Sequence, residues 1–147
     1  LRFNASGTYL TDYRVAVTPT APLLDQRNLI FRPLKFKARA SVTWDHGPLT
    51  ARAQAVHVGG YTNNVIVPNQ QVASYTPVDL TLSWRVASAA SNPFGGELAI
   101  SFEVRNVLDE DPPYVNIAPS GNGSGGYDAT AASPVGRLFA VSVRAKF

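Results

Sequence analysis

The sequence predicts an all-β protein, an antiparallel meander of about six strands. Three observations predict it. Apolar and polar residues alternate with period two through several long segments, most clearly from Pro33 to Asp45. No segment sustains a helical period for three turns, while eleven Gly and eleven Pro among 147 residues separate clusters of β-branched and aromatic residues. The connections between the alternating segments are by turns long and short, as in a row of hairpins with tight turns at one end.

The first strand, Leu1 to about Tyr13, sets Leu1, Phe3, Ala5, Gly7 and Tyr9 against Arg2, Asn4, Ser6 and Thr8. The second, Pro33 to Asp45, sets Leu34, Phe36, Ala38, Ala40, Val42 and Trp44 against Lys35, Lys37, Arg39, Ser41, Thr43 and Asp45. A soluble core strand seldom alternates this long without a break, whereas spanning a bilayer takes roughly 9–11 tilted residues. His46-Gly47-Pro48 turns the chain into a third strand, Leu49 to Tyr61, whose alternation blurs beyond Val56 and whose Gly59-Gly60 reads as a bulge. The fourth, Pro77 to Val86, sets Val78, Leu80, Leu82, Trp84 and Val86 against Asp79, Thr81, Ser83 and Arg85. The fifth, Glu97 to Asn106, sets Leu98, Ile100, Phe102 and Val104 against Ala99, Ser101, Glu103 and Arg105. The last, Gly136 to Phe147, sets Phe139, Val141, Val143, Ala145 and Phe147 against a basic face with Arg144 and Lys146. A bare edge of this kind invites pairing in water, but a closed membrane barrel must end on a strand that seals it.

The connections run long (14–32), short (46–48), medium-long (62–76), modest (87–96) and very long (107–135). Outer-membrane barrels have short periplasmic turns and long extracellular loops, so a periplasmic C-terminus gives this series the right sign. Trp44 and Trp84 then fall at the inner ends of their strands, at the level of an interfacial aromatic girdle. The polar face, with Lys35, Lys37, Arg39, Arg52, Asp79, Arg85, Glu103, Arg105 and Arg144, becomes the lining of a water-filled lumen.

Composition narrows the function. With no cysteine, disulfides, thiolate metal sites and thiol catalysis are excluded. A net charge of +3 and a pI near 9.5, without a dense Lys/Arg cluster among aromatics, speak against nucleic acid. No apolar run suits a membrane helix, and no secretory signal precedes the first strand, so the chain is expected to be a piece of a longer protein. The acidic run Asp109-Glu110-Asp111 lacks the alternating ligands of a calcium loop and reads as a solvated loop. Gly121 to Gly126 lacks the Gly-Lys-Ser/Thr of a phosphate loop, His46 and His57 lack a metal-ligand spacing, and no Gly-x-Ser-x-Gly elbow accompanies the serines. No cofactor, metal or catalytic residue is expected.

The segment Val104 to Tyr114, reading VRNVLDEDPPY, with Tyr127-Asp128 and Gly136-Arg137 after it, resembles the C-terminal region of TonB-dependent outer-membrane receptors. In that family the penultimate strand leaves the membrane through an Asn-Val/Leu-Leu/Phe-Asp motif. A Pro-Pro loop, a Tyr-Asp pair, a Gly-Arg opening the last strand and a final aromatic follow. Asn106, Asp109, Pro112, Pro113, Tyr127, Asp128, Gly136, Arg137 and Phe147 fill those places. Val58 to Asn63 and Tyr75 to Leu80 are also similar to the family, and the likeness weakens before Pro33. Physically, Asn106 and Asp109 can bond nearby backbone and end a strand, and Pro112 and Pro113 stop ladder pairing. Arg137 is placed to hold a carboxylate such as Asp109 or Asp128.

The resemblance implies the last six strands of a 22-stranded transmembrane barrel in the outer membrane of a Gram-negative bacterium. It implies uptake of a scarce solute such as a ferric siderophore, with outer-membrane lipid, the plug domain, the remaining strands and TonB as partners. The family's plug and TonB-contacting box have no counterpart in this sequence. Substrate contacts would come from Arg14–Arg32, Thr62–Tyr75 and Val107–Val135. The alternatives are a soluble β-barrel or sandwich binding module with an apolar interior, and, less favoured, a small porin-type barrel. In water the isolated chain is expected to curl over its apolar face or to self-associate through its edge strands.

Overall fold

The computed structural model describes residues 1–87, 96–119 and 125–146, and these contain ten strands and no helix. They are β1 (Arg2–Tyr9), β2 (Arg14–Val15), β3 (Leu24–Asp25), β4 (Phe36–His46), β5 (Leu49–Val58), β6 (Tyr61–Asn63), β7 (Gln70–Val72), β8 (Val78–Ala87), β9 (Glu97–Arg105) and β10 (Leu138–Lys146). The six long strands form one antiparallel sheet in the order β1-β4-β5-β8-β9-β10. It is a pure meander that does not close, so β1 and β10 are its edges.

The register carries each strand's alternation across the sheet up to an irregularity in the β8–β9 ladder between Arg85 and Ala87, near the short-turn end. Phe3 pairs with Val42, Val42 with Ala53, Ala53 with Leu80, Leu80 with Val104 and Val104 with Phe139. One residue away, Ser41 pairs with Asn4 and Gln54, Gln54 with Asp79, and Thr81 with Glu103. Paired residues share a face, and a slip of one position anywhere would put polar side chains on the apolar side. One face is therefore apolar and the other polar over all six strands.

Among the described residues nothing covers the apolar face. Phe36, Trp44, Leu82 and Phe102 are 39%, 44%, 47% and 43% exposed, so curling over that face is not how the chain hides it. The total accessible surface is 9934 Å², against about 7,300 Å² for a compact monomer of 15.8 kDa. The excess of about 2,600 Å² is larger than one side of a standard protein interface. Trp44 and Trp84 lie on this face near the short-turn end, with Trp44 stacked on His46 at 5.5 Å.

The buried core lies elsewhere, in a cap at the opposite end. The connections after β1, β5 and β9 meet there, and Ile30, Tyr61, Val72 and Val115 pack together, flanked by Leu34, Ile117 and Ala131. Leu34 thus belongs to the cap and not to the apolar face of its strand. The cap is pinned by short ribbons, β2 with β3 and β6 with β7, and by a parallel bridge between Leu29 and Thr62. The third strand of the sequence reading is accordingly two: β5 stops at Val58, and Gly59-Gly60 leads to β6 as a break instead of a bulge. The other long strands begin or end up to four residues inside their expected bounds, except that β4 and β8 each run one residue further. Phe147, most of the 87–96 connection and most of Gly121–Gly126 lie outside the described residues.

Gly60 permits this break, because a Cβ there would stand 2.8 Å from the Val72 carbonyl oxygen. Gly60→Ala should therefore displace the β6–β7 ribbon and destabilise the cap by about 1–3 kcal/mol. Hydrogen exchange is expected to speed up at Tyr61–Asn63 and Gln70–Val72 while the β8–β9 amides keep their protection.

Candidate functional site

Two surfaces can meet a solute: the polar face of the sheet and the cap above it. On the polar face, the Arg105 Nε bonds Glu103 Oε1 at 2.7 Å, Arg2 pairs with Asp45 at 3.6 Å, and Arg52 Nη2 donates to Gln54 Oε1 at 2.6 Å. Arg52, Gln54, Asp79, Thr81 and Glu103 surround a polar hollow of about 160 Å³. Lys37, Arg39, Arg85 and Arg144 share this face by register. Lys35 does not. It precedes β4, and its Nζ stands 5.4 Å from the centre of the Tyr9 ring, so it sits at the rim over an apolar-face residue. The exposed ion pairs contribute little stability, and the further cations of this face outnumber its carboxylates, which makes the wall attractive to anions.

Four of the expected motif residues, Asn106, Asp109, Gly136 and Arg137, come together where β9 and β10 meet the cap. Asn106 and Asp109 both adopt left-handed backbone, with φ of 47° and 57°, a conformation that Asn and Asp tolerate better than other side chains. Asn106 Nδ2 donates to the Glu110 carbonyl and its Oδ1 accepts the Glu110 N–H, both at 2.9 Å, closing the turn that ends β9. Its own N–H goes to Asp79 Oδ1 at 2.9 Å, so this wall residue also anchors the exit of the neighbouring strand. Asp109 Oδ1 accepts the Arg137 N–H at 2.7 Å, with the guanidinium 3.8 Å from Oδ2. Arg137 therefore meets Asp109, not Asp128. Gly136 leaves room beside it: a Cβ there would lie 2.9 Å from Asp109 Oδ1 and push that carboxylate aside.

Glu110, read from sequence as part of a solvated acidic loop, has a structural task. Both its carboxylate oxygens accept the Thr76 N–H at 3.1 Å. Half-buried Pro112 and Pro113 lead the chain to Val115, which is fully buried. Half-buried Tyr127 precedes Asp128, which is also buried; its Oδ1 accepts both the Thr130 N–H and the Thr130 hydroxyl, while Oδ2 has no donor in hydrogen-bond geometry among the described residues.

The polar knot that joins the loops escaped the sequence reading. Gln70 Oε1 accepts from Asn63 Nδ2 and from the Asn116 N–H, and its Nε2 donates to the Tyr114 carbonyl. Fully buried Asn63 also donates to the Asn116 carbonyl at 3.0 Å. No local pattern marks such long-range amide pairs; the only signal was Asn63 inside a family-like segment.

The first loop makes a turn in which the Arg32 N–H returns to the Leu29 carbonyl at 3.1 Å. Ile30 points into the cap core, and Phe31 follows with φ of 59° and more than half its surface exposed. The left-handed region at a bulky residue costs about 1–2 kcal/mol. The turn is held regardless by Ile30 N–H to Thr62 O, Thr62 N–H to Asn28 O, and Asn28 Nδ2 to Gly60 O. A cleft of about 430 Å³ opens here between the first and second loops.

Among the described residues no group of His, Cys, Asp and Glu could hold a metal. Comparison with protein families, with curated proteins and with solved structures finds no match for this chain.

Burial, and then the nearby Asp128 carboxylate, push the Tyr61 hydroxyl well above the usual tyrosine range; burial and then Glu110 raise Tyr75. A raised folded pKa means that the folded cap keeps these protons when the unfolded chain would release them. Their contribution is whole below about pH 10 and falls as pH rises above it. Cap unfolding followed by hydrogen exchange should show stability dropping between about pH 10 and 11, and less steeply in Tyr61→Phe. At the β9 exit, Asp109→Ala is expected to cost about 1–2 kcal/mol, whereas Arg137→Gln, which keeps the backbone bond, should cost under about 1 kcal/mol.

Proposed function

We propose that this chain is the C-terminal part of a large, 22-stranded TonB-dependent receptor barrel, and that it serves outer-membrane uptake of a scarce solute such as a ferric siderophore. The single observation that carries this reading is the two-faced sheet: apolar side chains in register over six strands, uncovered, opposite a hydrated, net basic wall. A bilayer takes an apolar face of this kind, and closure into a barrel by further strands gives both edges partners. The three longest connections share one end and form the cap, which suits the outer surface, with the short turn at 46–48 facing the periplasm. The corner of Asn106, Asp109, Gly136 and Arg137 is the point where the resemblance is densest, and its role in this reading is to seat the last strand.

The soluble binding module loses support on the same observation. Its apolar face would turn inward and be buried, while the sheet is open and its large apolar side chains stand exposed. In the receptor reading, polar residues of the wall contact the plug and the passing solute. Energy coupling through TonB belongs to a region outside this chain.

Because the chain has no cysteine, single cysteines report cleanly on each face. In cells that carry the protein in their outer membrane, Leu82→Cys and Phe102→Cys should resist a water-soluble maleimide, while Arg39→Cys and Arg105→Cys react. TonB-dependent uptake of a labelled ferric chelate should be lost on deleting the gene. Equal labelling of both faces, or uptake indifferent to the deletion, would count against the receptor.

A further inference from the structure

We propose that the cleft between the first and second cap loops is a binding site for a planar aromatic anion, with Phe31 as its stacking surface and Arg32 as its charge partner. It is lined by Gln26, Ile30, Phe31, Arg32, Asn64 and Val65, and its volume of about 430 Å³ suits a small aromatic molecule. The inference rests on the receptor reading only for its purpose, as a point of first capture on the outer surface; the binding itself stands on the cleft.

Phe31 carries the argument. Its position in the turn from Leu29 to Arg32 is one that glycine fills without strain, and φ of 59° is unfavourable for a phenylalanine. Folding gains little from placing Phe there, because the residue is 56% exposed while its neighbour Ile30 does the packing at 3% exposure. The strain and the exposure therefore coincide in one aromatic ring displayed at a cleft, and strain held by surrounding bonds is characteristic of ligand sites.

Arg32 follows directly and lines the same cleft, and it enters no ion pair among the described residues. A guanidinium beside an aromatic ring recognises a flat anion by charge and by stacking together. Gln26 and Asn64 add amide groups able to donate and accept, and Val65 adds apolar lining. No carboxylate lines the cleft, so an anion meets no repulsion from it.

The test is equilibrium binding of naphthoate to the detergent-solubilised protein, with acetate and neutral naphthalenemethanol as partial ligands. Naphthoate is expected to bind about tenfold or more tightly than either, the scale of one charge-assisted contact or one stacked ring. Arg32→Gln should abolish the preference for naphthoate over the neutral arene. Phe31→Gly should weaken naphthoate about tenfold while the cap unfolds at the same or a higher temperature, since the turn is relieved of strain. A Phe31 that served only structure would give the reverse, a less stable cap with unchanged binding. Naphthoate binding that Phe31→Gly leaves intact, or no preference over naphthalenemethanol, overturns the cleft alone. Absence of TonB-dependent uptake tells against the receptor reading alone.

Discussion

Register is the constraint on which the rest of this structure depends. Each long strand alternates apolar and polar residues, but alternation within a strand does not by itself make a two-faced sheet. The pairings must keep the parity from neighbour to neighbour. They do so from Phe3 through Val42, Ala53, Leu80 and Val104 to Phe139. A shift of one residue at any ladder would place Arg, Asp or Gln among those side chains, at a cost of several kcal/mol for each polar group in an apolar medium. The tight turn at Gly47, with φ of 56°, fixes one ladder locally, and the Asn106–Asp109–Arg137 corner fixes the last across a long connection.

The two ends of the sheet are built by different means. At the short-turn end the chain needs little beyond the turn itself. At the cap end, three long connections would otherwise be unpaired backbone, and they meet their hydrogen-bond needs from each other: Gln70 and Asn63 serve the 114–116 segment, Glu110 serves Thr76, and Asn28 serves Gly60 and Lys35. The bond of fully buried Asn63 to the Asn116 carbonyl lies beside the small apolar cluster around Val115, where a drier surround strengthens it, while the bonds of Asn28 and those of Gln70 to the 114–116 backbone stay exposed. The buried core of the described residues is consequently in the connections at the cap, and the large apolar residues of the long strands are left exposed.

This division explains what could be read from the residues and what could not. Period two shows directly in Phe36 to Trp44 and in Leu98 to Val104, so the strands, their faces and the antiparallel meander were legible. So was the corner at Asn106 and Asp109, because short polar residues before a Pro-Pro pair announce a stop. Lys35 and Leu34 were misplaced because alternation continues through them although the strand begins at Phe36; beyond one bond from the Leu10 N–H to the Lys35 carbonyl the chain turns to follow the cap. Glu110 looked like one of three solvated acids, and only the tertiary approach of Thr76 distinguishes it. Phe31 was illegible for another reason. An aromatic residue in a loop carries no local mark of a left-handed backbone, which is imposed there by the bonds from Asn28, Ile30 and Thr62.

Cap and wall also differ in how freely they can change. A substitution on the wall acts through a ladder shared by two neighbours and through a face whose polarity must be kept. A substitution at the cap surface, outside the Ile30–Tyr61–Val72–Val115 cluster and the Asn63–Gln70 knot, touches neither. Phe31, Arg32 and Val65 are of this kind: they hang from a rigid support and contribute little to it. A scaffold that holds one turn in an unfavourable conformation, while leaving the side chain on that turn free of packing duties, can alter what it binds without altering how it folds. That separation follows from placing the core under the loops instead of between sheet faces, and it makes the cap the part of this chain where specificity can reside.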